Sequence, residues 1–165
     1  MKGAKYFSKF WILAIILLTI GCDQASKELT RTRVEPQSFI PLIGEYFILT
    51  NVENTGAMLG FGQHFPPIVK QLFLQALPLL ILLVLLFRIL IKPNLSLLLL
   101  IAFALVIGGG IGNLIDRIAH GSVTDFFQIR LGFFRTGIFN IADVAVTTGV
   151  FILLFLIIKA KKLAF

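Results

Sequence analysis

Eight acidic residues occur in the 165-residue chain, and two of them, Asp125 and Asp143, have the surroundings of a catalytic pair. Asp143 ends the segment Phe139-Asn140-Ile-Ala-Asp143 and lies inside an apolar run that begins at Ile138. On a helix that puts it roughly 7–8 Å past the start of the run. An unpaired carboxylate at such a depth holds its proton. Asn140 stands about one turn earlier on the same helical face, within hydrogen-bonding reach. Asp125, in Val123-Thr-Asp125-Phe-Phe, follows the preceding apolar run and can meet Asp143 at the same level. Ionisable groups at the edge of apolar spans are costly and point to function. Two carboxylates beside polar amides, with few cations near, favour catalysis. The alternative is that each aspartate pairs with an arginine, Arg117 being the nearest.

Three further polar clusters occur. In Asp23-Gln24-x-x-Lys27 the acid precedes the base by four residues, the favourable order for a helical ion pair. This cluster reads equally as an interfacial ion pair ending a helix. Asn51-Val-Glu-Asn54-Thr-Gly56-Ala is turn chemistry, and on its own reads as a loop. In Gly108-Gly-Gly-Ile-Gly112-Asn113-Leu-Ile-Asp116-Arg117 the glycines form a GxxxG step that lets another helix approach. Asn113, Asp116 and Arg117 then share one polar face. A packing motif with a terminal ion pair explains the glycines but not Asn113.

The elements that carry these clusters follow from composition. Hydrophobic residues make up 58% of the chain and charged residues 14%, against about 25% charged in soluble domains. Mean hydropathy is +0.96. Spanning a bilayer takes about 20 apolar helical residues. Four spans are expected within a single domain covering 1–165, at roughly 7–28, 68–91, 95–117 and 138–158, with Pro78 kinking the second. The first has an apolar core of 13 residues, Phe10 to Cys22, and reaches spanning length only if the helix continues past Asp23. Four spans put both termini on one side. Lys2, Lys5, Lys9, Arg88, Lys92, Lys159, Lys161 and Lys162 lie on that side with no acid, which makes it cytoplasmic. Every acid falls on the outer side.

Two segments connect the spans outside, at roughly 29–67 and 118–137. The first holds Phe39 to Thr50, rich in aromatic and β-branched residues and broken by Gly44, which reads as a hairpin or small sheet. The second is apolar enough to lie on the membrane or to extend that sheet. Glu28, Glu35, Glu45 and Glu53 read as solvated loop charges. With Cys22 the only cysteine, no intrachain disulfide can form. His64 and His120 lack metal-ligand spacing, and HExxH and GxSxG are absent, so neither metal nor cofactor is expected. The +7 charge is scattered between apolar runs, which points to phospholipid head groups rather than nucleic acid.

Together, DQASK at 23–27, NTGA at 54–57, GGGIGNLIDR at 108–117, VTDFF at 123–127 and FNIAD at 139–143 resemble lipoprotein signal peptidase, also called signal peptidase II. The resemblance runs through nearly the whole chain in motif order and spacing. It implies an all-α membrane protein, four transmembrane helices with a small extracytoplasmic β-element that cradles substrate, and a second outer loop. It further implies an aspartyl-peptidase dyad at Asp125 and Asp143. The family's other functional polar positions fall on Asp23, Lys27, Asn54, Asn113, Arg117 and Asn140, with Asp116 and Gly56 inside the motifs. Asn113, Asn140 and Arg117 are expected to orient the pair, and Asn54 and Gly56 to hold the substrate peptide. The implied substrate is a diacylglyceryl-modified prolipoprotein, cut before its lipidated cysteine in the bacterial inner membrane by a monomer sensitive to globomycin. Met58 and Leu59 depart from the family's Ala and Phe, and Thr136-Gly137 from its Trp-Pro. These departures bear on the packing of the substrate-facing loop, not on the dyad.

Two other readings compete. Thr19-Ile-Gly-Cys22 after a basic, apolar start resembles a lipoprotein signal, although Thr19 stands where Leu is usual and three more spans follow. A proton pathway also uses buried acids, yet the cytoplasmic halves of the spans carry none.

Overall fold

The computed structural model describes residues 2–92 and 95–162, with the side chains of 9–58, 60–92 and 95–159. Lys2, Lys5, Lys161 and Lys162, part of the expected cytoplasmic charge, and the departure at Leu59 fall outside the described side chains.

Four helices are long and apolar enough to cross a membrane. The first, α1, is continuous over Lys2–Arg33. It passes through Cys22 and carries Asp23 and Lys27 in its body rather than at its end. Cleavage before Cys22 would remove Ile12 and Ile16, which pack in the core of the helix bundle, and this weighs against the lipoprotein-signal reading. The second, α2, spans Pro67–Ile91. Its irregularity precedes Pro78 as a widened π turn over Gln71–Ala76, where the Leu77 N–H reaches back five residues to the Leu72 carbonyl. Such a turn gives the proline ring room that a regular helix denies it.

The third helix, α3, spans Leu97–Ala119 and is the central one. Its Leu100, Ala104, Ile107 and Leu114 pack with Ile12 and Ile16 of α1 and Leu82 and Ile89 of α2. The fourth, α4, spans Ile141–Lys162 and starts three residues later than hydropathy places it. Asn140 sets that boundary: its Oδ1 accepts the Asp143 N–H at 2.9 Å while its own N–H donates to Asp143 Oδ2 at 3.2 Å. This reciprocal cap fixes the first turn. Asp143 thus sits in the opening turn of α4, shallower than the run from Ile138 suggests.

Close approach of α3 to its neighbours depends on absent side chains. A Cβ on Gly112 would lie 2.6 Å from Asp23 Oδ2, and one on Gly109 would collide with the Ala142 carbonyl. The first could be relieved by a side-chain shift; the second meets backbone. Gly109→Ala is expected to cost about 1–3 kcal/mol, as overpacking does, measured by thermal unfolding in detergent. It displaces the turn that bears Asp143, so activity falls with it.

The segments outside the helices form one antiparallel sheet in the order β1-β2-β3-β4: Ile40–Ile43, Phe47–Asn54, Val123–Leu131 and Phe134–Arg135. The second segment thus extends the first segment's sheet, and is strand rather than loop. Gly44 lies in the β1–β2 turn at φ +52°. Asn51 to Asn54, a loop by local chemistry, belong to β2, because long-range pairing to β3 outweighs turn propensity. Phe127 and Phe139 exchange two 2.8 Å backbone hydrogen bonds, which brings Asn140 beside β3.

Candidate active site

Asp125, on β3 opposite Val52, is 4% exposed. Its Oδ1 accepts from Asn140 Nδ2 at 2.7 Å and its Oδ2 from Asn54 Nδ2 at 3.0 Å. Asp143 Oδ1 accepts from Asn113 Nδ2 at 2.8 Å. Asn140 therefore touches both carboxylates, one through its amide and the other through its backbone. It also donates to Asn113 Oδ1 at 3.1 Å. Among the described residues neither aspartate has a cation within 4 Å. The arginine-pairing alternative fails on Arg117 itself, whose guanidinium donates instead to the Gly56 carbonyl at 2.9 Å. Burial pushes the Asp125 carboxyl up to about 7; hydrogen bonding from Asn54 opposes this and the Asp143 charge adds to it.

Behind the pair lies a buried ionic cluster. Lys27 Nζ reaches Asp23 Oδ2 at 2.7 Å, Asp116 Oδ2 at 3.1 Å and Asn113 Oδ1 at 2.8 Å, and all three charged side chains are fully buried. The helical pair expected on α1 is real, but its setting is the bundle interior rather than an interface. Asp23 Oδ1 also accepts the Ala142 N–H at 2.9 Å, tying α1 to the first turn of α4. Lys27 thus orients Asn113, which orients Asp143.

Sequence reasoning missed a second relay. Thr124, the neighbour of Asp125, accepts from Arg31 Nε at 2.7 Å and donates to Glu53 Oε1 at 2.7 Å. Ser122 donates to the other Glu53 oxygen. Arg31 also pairs with Asp116 at 3.0 Å. Glu53 is therefore not the free loop charge expected. Arg31 could have been found, since it continues the helical face of Asp23 and Lys27; the Glu53–Thr124 pairing depends on strand register and left no local signal.

Asn54 and Gly56 lie beside Asp125 and make local hydrogen bonds. The Asn54 amide donates to the Ala57 carbonyl at 3.1 Å as well as to Asp125, and its Oδ1 accepts the Gly56 N–H at 3.0 Å. These bonds fix the turn and Asp125, and Asn54 also lines the cleft.

The pair opens on a cleft of about 630 Å³, with Asn54, Asn113, Arg117, Asp125 and Asp143 at its polar end. Met58, Ile138, Phe139, Val144 and Phe151 supply apolar wall, and the departing residues Thr136 and Gly137 lie on its rim. Paired carboxylates at the end of such a cleft can activate water against an acyl centre carried by an apolar ligand.

Comparison with known proteins agrees with this geometry. Residues 15–159 match the family model described as signal peptidase (SPase) II. The lipoprotein signal peptidase of Moorella thermoacetica is 38% identical over 87% of this chain and 89% of its own. That of Syntrophus aciditrophicus is 35% identical over 91% and 96%, and that of Pelodictyon phaeoclathratiforme 41% over 82% and 83%. A bacterial membrane enzyme solved by the in meso method at 2.3 Å superposes with a TM-score of 0.81 at 26% identity, covering 91% of this chain and 88% of that one. With the family model matching residues 15–159, the relatives 35–41% identical over most of both chains, and four helices able to span a membrane, the chain belongs to the signal peptidase II family, and is a multi-pass membrane peptidase.

Proposed function

We propose that this peptidase works through Asp125 and Asp143 as an aspartic dyad, removing the signal peptide of diacylglyceryl-modified prolipoproteins just before the lipidated cysteine. The observation that carries this reading is the pair of carboxylates joined by Asn140 at the polar end of an apolar cleft. Neighbouring carboxylates share a proton because both cannot ionise cheaply. The ionised member takes a proton from water as the oxygen attacks the scissile carbonyl. The protonated member polarises that carbonyl and then protonates the leaving amine as the C–N bond breaks. The diacylglyceryl chains lie along the apolar wall. Asp23, Lys27, Asn54, Asn113, Asp116, Arg117 and Asn140 position the pair. The enzyme acts as a monomer in the bacterial inner membrane, both termini cytoplasmic and the dyad near the outer face, and globomycin competes for the cleft.

Cleavage of one purified prolipoprotein with and without its diacylglyceryl group tests the substrate. Only the lipidated form is expected to be cut, and equal turnover of the bare form would overturn the assignment. Burial pushes the Asp125 carboxyl up to about 7, so Asp125 keeps its proton below that pH and loses it above. kcat/KM is therefore expected to fall about tenfold per pH unit above that point, and a profile flat into the alkaline range would exclude a shared proton.

A further inference from the structure

The β3–β4 hairpin carries a charge arrangement that neither the fold nor the dyad uses. Arg130 and Arg135 are register partners across the two strands, so their side chains lie on the same face. Like charges directly opposite destabilise a strand pair. No carboxylate lies within 4 Å of either guanidinium among the described residues. Arg130 donates from Nε to Gln128 Oε1 at 2.7 Å and its guanidinium stacks 5.1 Å from the Phe39 ring centroid, which holds it extended along the sheet. Glu45 is the nearest acid in sequence register, in the turn before Tyr46, and it makes no ion pair with Arg130.

The opposite face and the tip are apolar. Leu131 and Phe134 are register partners, each 55% exposed, and Phe133 at the tip is 102% exposed. Alternation along β3 puts Leu131 on the face of Asp125 and Arg130 on the other. An amphipathic hairpin at the end of four lipid-facing helices, with an aromatic tip and a paired cationic face, has the polarity of the head-group layer: rings among acyl chains, guanidiniums at phosphate level. Two guanidiniums without a carboxylate match a phosphate that they can share.

We propose that the hairpin is an interfacial anchor in which Arg130 and Arg135 clamp the phosphate of an anionic phospholipid. A zwitterionic lipid brings its own cation to the same place and fits less well. The consequence reaches the dyad through the chain: β4 runs directly into Thr136 and Gly137 on the rim of the cleft. Seating the hairpin sets the depth at which the cleft meets the bilayer.

The test reads lipid retention, so it stands apart from whether the dyad cleaves. The full chain in detergent is titrated with phosphatidylglycerol or phosphatidylcholine and bound lipid is counted by native mass spectrometry. Wild type is expected to retain phosphatidylglycerol about tenfold better, in keeping with two interfacial cations. R130Q/R135Q is expected to lose that preference, with unfolding temperature unchanged or raised, because the repulsion is gone. F133S is expected to weaken retention of both lipids. Undiminished preference in R130Q/R135Q would overturn the clamp, and inorganic phosphate displacing phosphatidylglycerol at equal concentration would overturn its assignment to lipid.

Discussion

Asp125→Asn and Asp143→Asn are each expected to abolish cleavage of a lipidated prolipoprotein, lowering kcat by about 10²–10⁴-fold or to background, the range that general acid–base groups supply. KM is expected to change little, because the apolar wall that holds the acyl chains is untouched. A purely structural role predicts instead that activity and stability fall together. The two separate cleanly at Asp125. Burial pushes its carboxyl up from the ordinary 3.8 to about 7 in the fold. The folded state therefore holds a proton that the unfolded state has released. That stability is fully present below about pH 4 and is lost as pH rises through 7. Wild-type unfolding temperature should decline across this window, and Asp125→Asn should remove the decline. Asparagine also turns an amide toward the donors of Asn54 or Asn140, so a modest loss of stability independent of pH accompanies it. Full turnover by either variant would remove the dyad from the mechanism.

Lys27→Ala is expected to be the most destabilising single change, at about 3–5 kcal/mol, because it strands buried charge. Asp23 and Asp116 would face each other's field with Arg31 as the remaining cation beside Asp116. Lys27→Arg should not restore the site: a planar guanidinium brings five donors to a pocket built around one ammonium. Asn113 would lose the donor on its Oδ1, and with it the orientation of the amide that serves Asp143. Reduced kcat in whatever fraction still folds is the expected companion. Unfolding in detergent of K27A beside the double variant D23L/K27L measures this; the pair of leucines should recover part of the loss, since a matched apolar replacement leaves one fewer orphaned charge. Equal losses in both variants would mean that packing, not charge, is what Lys27 supplies.

The four spans were legible because hydropathy over 20 residues is a strong, local signal, and so was the dyad's neighbourhood, because Asn140 and Asp143 are spaced for a helix cap. The Asp23–Lys27 pair was legible as a pair but not as a buried one. Its burial depends on Gly109 and Gly112, which let α1 and α4 close on α3, and on Asp116 arriving from another helix. Glu53 looked like a solvated charge because its partners, Ser122 and Thr124, are joined to it by strand register across 69 and 71 residues. The Asn54–Asp125 hydrogen bond leaves no local signal for the same reason: the amide faces Asp125 only once β2 pairs with β3.

The ammonium of Lys27 is shared between carboxylates on α1 and α3, and this bears on how the chain enters the bilayer. Asp23 and Lys27 are one turn apart, so α1 can insert with that end already neutralised. α3 has no such provision, since the cations paired with Asp116 are Lys27 and Arg31, both on α1. An α3 that reaches the membrane without α1 beside it exposes a carboxylate to hydrocarbon, at a cost that favours its retention in the translocon or its recognition by quality-control proteases. The order of synthesis, α1 before α3, thus supplies the counter-charge before the charge.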